Sequence, residues 1–277
     1  SINLDADKLA LFTNHKKINL NNNNLTTLDN LDGITEVTNL LLSNNSLTLE
    51  DEKSQNILKS MTKLQLLNLD NNKITNIRGI NELKELKNLY LVGKNNIVDL
   101  SQIEDIISNL DNLRLSTEAL KTIKNCSSEK ITKLDISNSS FVTELPDLSQ
   151  FKKLESLYMT SLIRVTNFST VSNLSSLINL SLSANNLNNK LIDFSKLTNL
   201  KNLSLSNCSL WSEDLENLKN LKNNSNLTIN LSNNAIIDTT VLLELNPNTK
   251  INLTRNVNLS QDSKDKLKAR FGNNVTF

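Results

Sequence analysis

VTNLLLSNNSL, residues Val37 to Leu47, is a phrase that this chain repeats, and it returns nearly unchanged as LQLLNLDNNKI (Leu64 to Ile74) and LINLSLSANNL (Leu177 to Leu187). Each copy fits L-x-x-L-x-L-x-x-N-x-L. Two apolar residues at period two put both side chains on one side of a short strand, and the residues between and beside them point the other way. The asparagine marks the turn that follows. Roughly eleven copies run through the 277 residues.

Taking the second leucine of each copy as its origin, the repeats are centred on Ile18, Leu40, Leu67, Leu89, Leu113, Leu134, Leu157, Leu180, Leu203, Ile229 and Ile251, numbered here one to eleven. Successive spacings are 22, 27, 22, 24, 21, 23, 23, 23, 26 and 22 residues. This is the period and the pattern of a leucine-rich repeat. The expected fold is therefore an α/β leucine-rich repeat solenoid, a curved horseshoe with a concave parallel sheet and a convex wall of 3₁₀ or α segments. The convex segments carry their own apolar set, such as Leu25, Leu28, Leu31 and Ile34. Where the spacing stretches to 26 or 27, the sequence predicts helices over Asp51 to Met61, with Ile57, Leu58 and Met61 inward, and over Ser212 to Lys222, with Leu215, Leu218 and Leu221 inward and Ser212 as its start.

One repeat buries too little to offset the ordering of its own backbone, so neighbours must share a core and the ends need caps. The organisation expected is an N-terminal cap segment over 1–14, with Leu9 and Phe12 on a short helix from Asp5, then repeats over 15–259, then a cap over 260–277. In the last, Ser260 caps a helix through Phe271, Gly272 stops it, and Val275 and Phe277 alternate as a final strand.

A buried amide carries both donors and acceptors, so the motif asparagine can bond the turns above and below it. Asn23, Asn45, Asn72, Asn185, Asn234 and Asn256 form this structural ladder, with Cys208 standing in at repeat nine. Repeats four to seven depart from it: Gly93 delays Asn95 by one residue, and Glu118, Ser139 and a shifted Leu162 occupy the place in repeats five, six and seven.

Thirty basic against twenty-nine acidic residues leave a formal charge of +1, with no block of either sign, so no nucleic-acid or anionic-membrane footprint is visible. No apolar run approaches the roughly 20 residues of a membrane span. Of the two cysteines, Cys126 and Cys208 lie three to four repeats apart, roughly 14 to 19 Å at about 4.8 Å per strand, beyond disulfide reach. Both are expected to be free and buried.

LNNNNLTTLDNLDGI (Leu20 to Ile34), an L-x-L strand followed by a 3₁₀ connection within a 22-residue unit, resembles the bacterial leucine-rich repeat proteins of the internalin type. That resemblance covers nearly the whole chain. It implies a secreted or surface-bound, virulence-associated solenoid that binds a host protein on its concave face, a host cell-surface protein being the first partner to test. The alternative is a cytosolic or host-translocated scaffold or effector regulating a partner enzyme.

The outward strand positions are mostly Ser, Asn or Thr, as in Asn179, Ser181 and Ser183 or Asn202, Ser204 and Ser206. Leu41, Leu66, Tyr90, Val92, Arg114 and Tyr158 stand out against them and form the expected ligand-binding surface, since contact hot spots favour Tyr, Trp and Arg. Trp211, the only tryptophan, reads as a packing residue at a rim, and His15, the only histidine, occupies a first-leucine position. One histidine, two distant cysteines and four glycines supply no zinc site, no phosphate loop and no catalytic constellation. A monomeric, non-enzymatic binding module without metal or cofactor is expected. Sequons at Asn179, Asn202, Asn230 and Asn252 would place glycans on the binding face in a eukaryotic secretory pathway, which favours a bacterial or cytosolic setting.

Overall fold

The computed structural model describes residues 14–97, 99–120, 122, 129–139 and 141–277, and the chain divides into two compact units at Ile136/Ser137. The expected N-terminal cap helix and Cys126 lie outside the described residues. In the first unit, each L-x-L core forms a three-residue strand: β1 (Lys17–Asn19), β2 (Asn39–Leu41), β3 (Leu66–Asn68), β4 (Asn88–Tyr90), β5 (Asn112–Arg114) and β6 (Lys133–Asp135). The second unit holds β7 (Ser156–Tyr158), β8 (Asn179–Ser181), β9 (Asn202–Ser204), β10 (Thr228–Asn230), β11 (Lys250–Asn252) and β12 (Val275–Thr276).

Within each unit consecutive strands pair in parallel, leucine opposite leucine: Ile18, Leu40, Leu67, Leu89, Leu113 and Leu134 in one, and Leu157, Leu180, Leu203, Ile229, Ile251 and Val275 in the other. These central residues are at most 5% exposed. A one-residue slip would turn the leucines outward, so the burial of one face sets the register.

The ladder is built as the amide chemistry requires. Asn45 donates from Nδ2 to the carbonyls of Leu20 and Leu42 at 2.9 Å, and its Oδ1 accepts from the Leu25 N–H at 3.1 Å. Asn72, Asn185, Asn234 and Asn256 repeat the arrangement, and Asn23 donates to Leu20. Cys208 replaces the amide with its thiol, 3.2 Å from the Leu182 carbonyl. Burial raises that thiol's pKa to about 11.

Repeat four corrects one expectation, because the ladder continues there. Asn95 arrives late yet donates to Leu69 and Leu91 and accepts from the Ile74 N–H at 3.0 Å. The extra residue is absorbed at Gly93, whose φ of +88° is open to glycine and where a Cβ would lie 1.9 Å from Asn71 Oδ1. Repeat five does leave the pattern, turning through a short helix at Thr117–Leu120. Leu162 fills the site in repeat seven, its N–H held by Asn185 Oδ1 at 2.7 Å.

The opposite wall is mostly 3₁₀. Asn76, Asp99, Asn167 and Asp238 each accept the N–H two residues on, at 2.8 to 2.9 Å, which is the first residue of the 3₁₀ segments Arg78–Ile80, Ser101–Ile103, Ser169–Asn173 and Thr240–Glu244. The long repeats differ from each other. Glu52–Ser60 is an α-helix capped by Asp51, whose carboxylate accepts from the Ser54 N–H at 2.7 Å. Ser212–Leu221, expected to be α, is 3₁₀ throughout. Its buried residues explain this: Leu215, Leu218 and Leu221 recur every three residues, the 3₁₀ period, whereas Ser54, Ile57, Leu58 and Met61 follow the α spacing. The segment begins at Ser212, but its cap is Trp211. Asp214 fixes it by accepting the Trp211 N–H at 2.7 Å, while Ser212 Oγ accepts from Ile237 and Asp238 of the next repeat.

At the C-terminus, helix Gln261–Phe271 is capped by Ser260, buries Leu267 and Phe271, and ends at Gly272 with φ +57°. Val275 follows into β12.

Candidate functional site

The outer sheet face of the first unit carries two columns of side chains. One runs Asn19, Leu41, Asn68, Tyr90, Arg114 and Asp135, each opposite the next in register across β1 to β6. The other includes Asn39, Leu66, Asn88 and Asn112, so that Leu41 and Leu66 are diagonal neighbours on adjacent strands. Leu41, Leu66 and Tyr90 are half-buried, which suits a platform whose rims are polar.

Arg114 organises this face. From β5 its Nη1 donates to Asp70 Oδ2 at 2.7 Å, in the turn after β3, and its Nε donates to Asp135 Oδ2 at 3.0 Å on β6. To reach Asp70 it crosses β4, where its guanidinium lies over the Tyr90 ring at 5.3 Å from the centroid. One side chain thus ties four successive strands, with its planar group stacked on an aromatic and forked between two carboxylates. The carboxylates are mostly enclosed, Asp70 at 8% and Asp135 at 16% side-chain exposure, while Arg114 keeps 33%. Burial pushes the Asp70 carboxyl above its ordinary pKa, and the Arg114 charge opposes that shift in part. Burial likewise raises the Tyr90 phenol, which stays a neutral donor at neutral pH.

One of the expected surface residues sits differently from the reading of its position. Val92 is only 7% exposed, and Ser43, Asp70 and Ser137 at the same place in other repeats are buried too, where the chain turns in after the strand; its N–H donates to Asp70 Oδ1 at 2.9 Å, so it anchors the cluster through its backbone. Tyr158 belongs to the second unit, on β7 opposite Ser181, and is half-buried there. His15, at a first-leucine position, is exposed. Among the described residues no three His, Cys, Asp or Glu side chains gather as a metal site would require. No helix among them is long and apolar enough to cross a membrane.

The second unit's sheet face is a lattice of small polar groups bonded to one another. Ser183 and Ser204 hydroxyls lie 2.7 Å apart, Ser206 donates to Ser183 at 3.1 Å, Asn202 Nδ2 donates to Asn179 Oδ1 at 2.7 Å, and Asn179 Nδ2 in turn donates to Ser156 Oγ at 2.9 Å. Sequence reading missed two sets of structural residues. Asn224, 4% exposed, bonds the carbonyls of Leu197 and Leu200 in the preceding repeat. In every repeat that keeps the ladder except the fourth, where Gly93 takes that role, the residue just before the ladder position is left-handed: Asn22, Asn44, Asn71, Ala184, Asn207, Asn233 and Arg255 have φ between 55° and 61°, with Asn138 at 62°. The Asn-Asn doublets were the available signal, since asparagine tolerates that region.

Parallel strands, an asparagine ladder and a 3₁₀ return wall in each unit settle the architecture. The fold is the leucine-rich repeat of the internalin type. Solved structures agree: an internalin, InlF of Listeria monocytogenes, matches with a TM-score of 0.58 at 20% identity over 94% of this chain and 78% of its own. A leucine-rich repeat protein of Leptospira interrogans gives 0.58 at 22% identity, covering 99% of this chain and 86% of that one. The functional domain of InlJ from Listeria monocytogenes, which includes a cysteine ladder, gives 0.55 at 22% identity over 95% of this chain and 58% of its own. The sequence matches no protein-family model and no curated protein.

Proposed function

We propose that this leucine-rich repeat chain is a non-enzymatic protein-binding module whose ligand docks on the outer sheet face of the first unit. The observation that carries the reading is the Arg114 assembly. Tyr90 and Arg114 are the residue types that dominate contact energies, and here their rotamers are fixed before any ligand arrives. A side chain already held by two carboxylates and an aromatic ring loses little freedom on binding, so more of the contact energy appears as affinity. Leu41 and Leu66 add half-buried apolar area beside it. Tyr158 offers a separate aromatic contact on the second unit.

The solved relatives support a bacterial, secreted or surface setting, and within that setting a host cell-surface protein is the partner to test first. The test is capture from host-cell membrane extracts followed by affinity measurement on the captured protein. Tyr90→Ala should weaken binding by about 1 to 4 kcal/mol and leave the melting temperature within a few degrees of wild type. Unchanged affinity in both Tyr90→Ala and Tyr158→Ala would sink the proposal.

A further inference from the structure

The large apolar side chains exposed among the described residues are Phe141, Ile163, Trp211, Ile237, Val257 and Phe277, and all six lie in the second unit. None occupies an outer sheet position. Trp211, at 51% exposure, and Ile237, at 46%, stand at the same place in successive repeats, eight residues after Leu203 and Ile229. They line a cleft of about 480 Å³ together with Val241, Glu213 and Asp238.

The geometry of this cleft is set from within. Asp214 holds the Trp211 N–H and also accepts from the Asn189 N–H at 2.6 Å; Ser212 Oγ grips the Ile237 and Asp238 N–H groups, binding the two repeats edge to edge. Asp238 spends Oδ1 on the Thr240 N–H and hydroxyl, at 2.8 and 2.7 Å. The Glu213 side chain makes no hydrogen bond or ion pair with the described residues and is exposed. The lining therefore combines one indole, two aliphatic side chains and two carboxylates, without a basic residue. Lys266 reaches toward Asp238 from the C-terminal helix but is paired with Asp262 at 2.6 Å.

We propose that this cleft is a second binding site, for an arginine followed by an aliphatic residue in a peptide segment of a partner protein. Tryptophan has the strongest face for a cation, and a guanidinium can stack on it while its fork reaches flanking carboxylates. Ile237 and Val241 then receive the aliphatic neighbour. The site is independent of the Tyr90 and Arg114 face, which belongs to the other unit.

Because Trp211 is the only tryptophan in the chain, its emission reports on this cleft alone. The experiment titrates the whole chain with acetyl-Gly-Arg-Leu-Gly-amide and with the Gln analogue, following Trp211 fluorescence. A saturable change is expected with the arginine peptide and a response at least about tenfold weaker with the glutamine one. Glu213→Gln should weaken the arginine peptide about three- to tenfold without moving the melting temperature, and 0.5 M salt should weaken it as well. Tyr90→Ala should leave the response intact, which separates this site from the sheet face. Equal responses to the two peptides, a Glu213→Gln curve identical to wild type, or loss of the response in Tyr90→Ala would each overturn the proposal. So would emission that shifts with protein concentration in the absence of peptide, accompanied by dimer in sedimentation, which would assign the cleft to a second copy.

Discussion

Replacing Arg114 with methionine keeps an aliphatic stem over Tyr90 and removes the charge between Asp70 and Asp135. Two charge-assisted hydrogen bonds are lost, each of a kind that contributes about 1.5 to 3 kcal/mol, which bounds the effect near 6 kcal/mol. Arg114 is one-third exposed, so water takes over part of what it supplied, and Asp135 is the better placed of the two carboxylates to be re-solvated. A loss of about 2 to 3 kcal/mol at pH 7 follows, mostly from leaving Asp70 enclosed without its partner. At about 2 to 4 °C per kcal/mol this lowers the melting temperature by about 4 to 12 °C. The pH dependence identifies the cause. A carboxyl whose folded pKa lies above its unfolded value penalises folding once the pH exceeds the unfolded value of about 4, and the penalty grows until the folded pKa is passed. Burial already raises Asp70, and loss of Arg114 raises it further. The deficit of R114M should therefore shrink as the pH falls from 7 toward 4, and D70N/R114M should recover at least half of it, since an amide oxygen at position 70 can still accept the Val92 N–H. The assay is denaturant unfolding followed by circular dichroism at both pH values. A deficit that is the same at pH 7 and pH 4.5, or a double mutant no more stable than R114M, would refute this account.

Ala184 sits at φ +56°, a position that costs an L-residue with a Cβ about 1 to 2 kcal/mol and that asparagine fills in most other repeats; Ala184→Gly should stabilise the chain by about 0.5 to 1 kcal/mol, measured by the denaturant midpoint. Asp99, Asp147, Asp193 and Asp238 are held below the usual carboxylate range, the first three chiefly by a backbone N–H and Asp238 chiefly by the Thr240 hydroxyl. Their stabilisation is complete above pH about 4 and lost as the pH falls through their depressed folded values; acid melts of Asp193→Asn, which keeps the acceptor but cannot titrate, should be flatter than wild type below pH 4. Burial that lifts the Cys208 thiol to about 11 keeps it unreactive: iodoacetamide at pH 8 should leave the Cys208 peptide unmodified in native protein and alkylate it fully in denaturant, as read by mass spectrometry.

The strands and the asparagine ladder were legible because both rest on local rules. Leu-x-Leu has one way to bury both leucines, and an asparagine five residues past the strand centre has one set of turn groups to bond. The nature of the long return segments is also written in the chain, in the three-residue recurrence of Leu215, Leu218 and Leu221, although Ser212-Glu213-Asp214 suits the start of an α-helix equally well. Val92 is not a surface residue because the strand's alternation ends before it: the position three past the strand centre is buried in the turn, as it is for Ser43, Asp70 and Ser137. The Arg114 assembly was beyond sequence reading in a different sense. Arg114 was recognisable as unusual, yet its partner Asp70 is 44 residues away and is reached only by a side chain long enough to span an intervening strand. The lining of the Trp211 cleft depends in the same way on residues 26 positions apart being brought edge to edge by Ser212.

The asparagine ladder has a direction. Asn45 serves the Leu20 carbonyl and the Leu25 N–H of the repeat before it, Asn72 serves Leu42 and Leu47, Asn95 serves Leu69 and Ile74, and Asn234 and Asn256 do the same for their predecessors. Each repeat so served therefore has an inward carbonyl and N–H that its successor's asparagine bonds. Truncation inherits the asymmetry of the ladder: removing a repeat from the C-terminal side leaves an inward carbonyl and N–H without the successor's asparagine, whereas removing one from the N-terminal side leaves the next asparagine's cross-repeat amide bonds unmade and frees backbone N–H groups such as those of Thr38 and Ser46, which donate to Lys16 and Leu25.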